Sequence, residues 1–142
     1  MIQDVDADPG DLAPRELRER YEDKLRGTID AVGAGTVADE SGVDRETVDA
    51  LAAGESPELT LEEAAAILAV SPEAPGADAI EAEALDELMM GMSIAVLDVD
   101  TLESEIDGRI EAKELQQKME GRFPITLEEY ALVHRTIEER KP

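Results

Sequence analysis

The chain has 142 residues, with 36 Asp and Glu against 13 Lys and Arg, a formal net charge of −23. It has no Cys, no Trp and one His, which excludes disulfides, Cys-ligated zinc, thiol catalysis and any site built on two imidazoles. The apolar share of 42 % is carried by aliphatic residues and is enough for a core; no apolar run is long enough to span a membrane.

Residues 1–10 are acidic, end in Pro9-Gly10, and are expected to be a disordered tail. A first helix is expected from about Asp11, with Pro14 in its first turn. Leu17, Tyr21, Leu25, Ile29 and Val32 form its apolar face. Gly33-Ala34-Gly35 ends it. Thr36 then opens a short helix with Asp39 as a partial capping box, closed by Gly42. Asp44 caps the next helix, which carries Val48 and Leu51 and ends at Gly54. Thr60 with Glu63 is a full capping box for a helix through Leu61, Ala64, Ile67 and Leu68. Residues 72–79 are expected to link two regions, 11–71 and 80–142.

Ile80 to Leu97 has the spacing of a helix with Leu85, Leu88, Met89, Met92 and Val96 on a broad apolar face. Asp100 with Glu103 resembles another cap. Between Leu102 and Met119 the apolar residues change sides. Leu102, Ile106 and Ile110 share one face of an ideal helix; Ala112, Leu115 and Met119 share nearly the opposite one. With Gly108 between the groups, a break near Asp107-Gly108 is expected rather than one continuous helix. Thr126 with Glu129 is a second full capping box, opening a last helix through Leu127, Tyr130, Val133 and Ile137. No segment alternates with period two, so the fold is expected to be all-α.

The negative charge is spread over the chain: residues 1–10 carry −3, 11–71 carry −9 and 72–142 carry −11. This uniform acidity, with four Lys and few aromatics, resembles proteins of salt-accumulating (haloarchaeal) organisms. Dense carboxylates keep such a surface hydrated where molar salt screens their repulsion. Arg15, Arg18, Arg20, Lys24 and Arg26 form a basic cluster, interleaved with Glu16, Glu19, Glu22 and Asp23. That spacing favours intrahelical pairing on a solvated face over phosphate contact.

Residues 36–70 carry a small Ala inside a short helix (Ala38), then Gly42, Val43 and the cap Asp44. Val48 and Leu51 follow as buried residues of the next helix, then Gly54, Pro57 and a capped helix from Leu59 to Val70. This pattern resembles the lambda-repressor/Cro-like helix-turn-helix family. The resemblance implies a recognition helix entering the major groove. It places Thr36, Arg45, Glu46, Asp49 and Ala50 towards DNA. Thr36 stands where the family often has an amide, and Arg45 alone is a good donor to guanine or phosphate. The leading expectation is a cytoplasmic transcriptional regulator binding double-stranded DNA. The alternative is a helix-turn-helix that contacts protein instead. A homodimer is expected through the C-terminal helices.

Glu103 to Glu114 resembles a calcium-binding EF-hand loop at Asp107, Gly108, Ile110 and Glu114. It departs from one at Glu103 and Glu105, where longer side chains overshoot the ion. No metal site is expected there, and no cofactor elsewhere. Met89, Met90 and Met92 suit a core or a dimer seam. His134 is expected at the surface or an interface. Carboxylate pairs are too many to single out an acid and a base, and no Gly-rich phosphate loop is present, so no enzyme is expected.

Overall fold

The computed structural model describes residues 1–142 and is all helical. Its helices are α1 (Pro14–Val32), α2 (Ala34–Ser41), α3 (Arg45–Ala52), α4 (Leu61–Leu68), α5 (Ala77–Ala95), α6 (Val99–Glu105), α7 (Ala112–Met119) and α8 (Leu127–Arg140). No helix is long and apolar enough to cross a membrane.

Local chemistry explains the boundaries. Pro14 opens α1, and the Glu16 carboxylate accepts from the Ala13 N–H at 3.0 Å. Gly33, at φ +100°, ends α1 and leads straight into α2, so Ala34 and Gly35 are helical. The expected start at Thr36 is therefore two residues late. Asp98, rather than Asp100, caps α6, accepting from the Thr101 N–H at 2.7 Å. Both full capping boxes form: Thr60 with Glu63, and Thr126 with Glu129, each with two bonds of 2.9–3.0 Å. The break at 107–108 is present, with Asp107 at φ +57° and Gly108 at φ +70°. It turns the chain so that Leu102 and Ile106 on one side and Leu115 and Met119 on the other all reach the core.

The two halves of the chain repeat one plan. A 19-residue helix (α1, α5) is followed by two short helices (α2 and α3, α6 and α7) and a capped helix (α4, α8). Leu17, Tyr21, Leu25 and Ile29 are buried at four-residue spacing along α1, as are Ile80, Ala84, Leu88 and Met92 along α5. The segment Leu59-Thr60-Leu61-Glu62-Glu63 is echoed by Ile125-Thr126-Leu127-Glu128-Glu129. These two segments meet as an antiparallel bridge. The Leu61 N–H donates to the Ile125 carbonyl at 2.8 Å, and the Leu127 N–H to the Leu59 carbonyl at 2.7 Å. Reciprocal bonds between equivalent residues are what a local two-fold axis produces.

The halves also interlock across that axis. Helix α8 packs on α1 as well as α5, and α4 packs on α5 as well as α1. The buried apolar residues consequently form one core, with the Tyr21 and Tyr130 rings edge-to-face at 5.6 Å between centroids. The expected division into regions 11–71 and 80–142 therefore does not separate two cores. Helix α5 already begins at Ala77, inside the expected linker of residues 72–79.

Residues 1–10 are not a free tail. Ile2 is buried, and Gln3 donates to the Glu83 carboxylate at 2.6 Å. A 3-10 turn at Pro9–Asp11 lies against α8, where Gly10 fits because a Cβ would come within 3.0 Å of the Glu139 backbone nitrogen. The acidic composition of the segment obscured Ile2, whose burial anchors it.

Candidate functional site

Helices α2 and α3 meet through a three-residue turn whose Gly42 is left-handed, at φ +76°. Only a residue without Cβ takes that conformation at no cost. Val37 on α2 and Val48 and Leu51 on α3 are fully buried. That burial fixes the rotation of α3. Arg45, Glu46 and Asp49 are exposed on its outer side, with Ala50 half-buried at the edge and Thr36 exposed on α2. The five residues named from the sequence are thus the outer residues of one helix pair. Arg45 is not free: its Nε lies 2.9 Å from the Asp49 carboxylate, and its guanidinium lies over Gly35. Asp44 occupies the N-cap of α3 but makes no side-chain capping bond.

Two arginines of the α1 basic cluster, Arg18 and Arg26, have a structural task. Arg26 donates to the carbonyls of Leu51 at 2.7 Å and Glu55 at 2.8 Å. Arg18 donates to the Pro57 carbonyl at 2.9 Å. Between them lies Glu22, fully buried, accepting from the Ser56 hydroxyl at 2.7 Å. The Glu22 carboxylate also stands 3.3 Å from Arg18 and 3.9 Å from Arg26. These residues clasp segment 51–57, where α3 ends and the chain turns towards α4. Arg15 pairs with Glu19 on the solvated face, as expected, but Arg18, Glu22 and Arg26 face the fold. The 18/22/26 spacing on one helix face is the signal that could have found it.

Three carboxylates of the EF-hand-like segment are engaged elsewhere, while Asp107 and Glu111 are exposed. Glu103 accepts from the Ala112 N–H at 2.8 Å and so caps α7. Glu105 pairs with Arg140 at 3.1 Å and Glu114 with Lys118 at 3.4 Å. Ile110 is buried.

His134 is in the core, not at the surface. Its Nδ1 lies 2.5 Å from the Tyr21 hydroxyl, and its ring packs against both tyrosines. Burial pushes the imidazole down to about 4, against a smaller upward pull from Glu138, so the ring is neutral at pH 7. Burial likewise holds the Tyr21 and Tyr130 hydroxyls well above their ordinary range. Glu87 and Glu138 approach His134, one donor atom of each lying within 4.8 Å of the others. The Lys141 ammonium already rests on Glu138 and balances its charge.

Among curated proteins and among solved structures, nothing matches the chain. A family model described as a family of unknown function (DUF5791) matches residues 17–140, from the first buried leucine of α1 to the end of α8. The chain belongs to that family.

Proposed function

We propose that the protein is a transcriptional regulator whose α2–α3 pair reads double-stranded DNA. One observation carries this reading. The Gly42 turn and the buried Val37, Val48 and Leu51 leave Thr36, Arg45, Glu46 and Asp49 together on the outer side of the pair. That is the disposition a helix needs to enter a major groove while its neighbour crosses the backbone. In this reading Arg45 exchanges Asp49 for a guanine edge or a phosphate. Few phosphate contacts are available, so sequence preference rests on base contacts rather than counterion release.

A second reading, a helix pair that contacts protein, is favoured by the Arg45–Asp49 pair and by the local charge. Residues 34–58 hold seven acidic side chains and one basic, a net of −6. Chromatin occupancy of the tagged protein in its native host, at native salt, separates the two. Discrete peaks sharing a sequence, lost with Arg45→Ala, support the regulator. A flat profile refutes it. A homodimer, expected from the sequence, would have Met89, Met90, Ile94 and Val96 as its exposed apolar surface.

A further inference from the structure

We infer that α7, the counterpart of α3 across the local two-fold, is a second DNA-contacting helix and the stronger of the two. This deepens the reading above and rests on it. The equivalence is built from several positions. Asp44 and Glu111 both stand at an N-cap, and neither makes a side-chain capping bond. Val48 and Leu115 are both fully buried at the fourth helical position. Gly54 and Gly121, both with positive φ, follow the two helices, and Pro57 and Pro124 precede the two bridged segments. On the helix before, Thr36 and Thr101 share the third position and are both exposed.

In this register the outer residues Arg45, Glu46, Asp49 and Ala50 correspond to Ala112, Lys113, Gln116 and Gln117. The chemistry of the two sets differs. The α3 set offers one guanidinium, already paired, and two carboxylates that repel phosphate. The α7 set offers an ammonium and two amides, with no carboxylate among the four. Lys113 and Gln116 are exposed and Gln117 half-exposed. Lys113 makes no ion pair, whereas the nearby Glu114 is taken by Lys118. Gln116 makes a single bond of 3.3 Å, to Glu120. Helix α3 carries −1 and α7 carries +1; over the equivalent spans 34–58 and 99–124 the net charge is −6 and −3. A glutamine amide bonds both edge atoms of adenine in the major groove, and this needs no excess positive charge. On so acidic a chain, a duplex approaches the less repulsive helix, and amides retain their discrimination where molar salt removes the counterion term.

The test uses the full chain and a random-sequence DNA duplex library at molar KCl, followed by affinity measurement on the enriched sequence. The variants are Arg45→Ala, Gln116→Ala, and Lys113→Ala combined with Gln116→Ala and Gln117→Ala. All four positions face outward, and an unchanged melting temperature certifies the fold. The wild type enriches a sequence containing adenines. Gln116→Ala weakens binding to it roughly tenfold and relaxes the preference at one adenine, and the triple variant abolishes binding. If the triple variant keeps wild-type affinity and motif while Arg45→Ala abolishes both, α7 reads nothing and α3 alone stands. If the wild type enriches no sequence, both readings fall.

Discussion

The two halves build one scaffold and then fasten it differently. After α3, the chain is tied back to α1 by charge: Arg18 and Arg26 donate to the carbonyls of Leu51, Glu55 and Pro57, and Glu22 accepts from the Ser56 hydroxyl. After α7, the equivalent turn meets α5 through an apolar side chain, and a Cβ on Gly121 would stand 3.5 Å from Leu85 Cδ1. Leu85 holds the place on α5 that Glu22 holds on α1, eight residues into each long helix. The capped helices differ too. Helix α4 is small, with Ala64 and Leu68 buried where α8 has Tyr130 and His134. The scaffold therefore needs the buried ladder, the left-handed turn and the capping box. What fills the space between them can be ionic, aliphatic or aromatic.

Leu25 and Leu88 hold equivalent places on the two ladders and are both fully enclosed. Each Leu→Ala change should cost about 2–5 kcal/mol, and to a similar extent. Because α4 and α8 cross between the halves, both variants should unfold in a single transition. Calorimetry showing two transitions, one per half, would contradict the shared core.

The fastenings should respond unequally. Glu22→Ala leaves Arg18 and Arg26 without their buried counter-charge and should cost about 3 kcal/mol. Leu85→Ala removes a half-buried side chain and should cost less, about 1–2 kcal/mol. Denaturant melts of the two variants, at equal and high KCl, read the difference directly. Equal losses would mean that the ionic clasp is no more than a spacer.

His134 gives a comparable effect through pH, in the half that has it. Its pKa falls from an ordinary value near 6.5 to about 4 on folding. Above pH 6.5 both states are neutral and its contribution is fully present. As pH falls from 6.5 towards 4 the unfolded state takes up the proton first, and about 3 kcal/mol is lost. Around the ring stand Tyr21, Tyr130, Glu87, Glu138, Lys141 and Asp4. Unfolding free energy measured at closely spaced pH values should therefore slope between pH 6.5 and 5 and lose that slope in His134→Gln. A flat profile in the wild type would place the imidazole in water.

Much of this plan was legible in the sequence, because caps and helical periodicity are local. Both Thr–Glu boxes, Gly42 as a turn, and the change of apolar face at Gly108 follow from spacing alone. The partnerships were not legible. Nothing local states that α8 covers α1, so His134 had no visible reason to be buried, and Ile2 no visible surface to bury against. The repeated Thr-Leu-Glu-Glu was in plain view, yet its meaning needs the bridge that joins the two copies. The exposed residues of α3 can be grouped from the sequence because burial of Val48 and Leu51 determines the opposite face. The outer residues of α7 carry no such marker, since Gly108 and the acidic residues around it resemble a cation loop.

The smallest effect tests the symmetry most directly. Thr60 and Thr126 each cap a helix through one hydroxyl bond of 3.0 Å, and each stands opposite the other in the bridge. Thr60→Ala and Thr126→Ala should each cost about 1 kcal/mol, the ordinary value of an N-cap. Their backbone bonds to the facing segment run through Leu59, Leu61, Ile125 and Leu127 and survive both changes. The double variant should then cost the sum of the two, because neither hydroxyl bonds the other residue and each acts on its own helix. A double loss well above that sum would show that the caps hold the bridge as well as the helices. The local two-fold would then be a cooperative joint rather than two equivalent helix starts placed side by side.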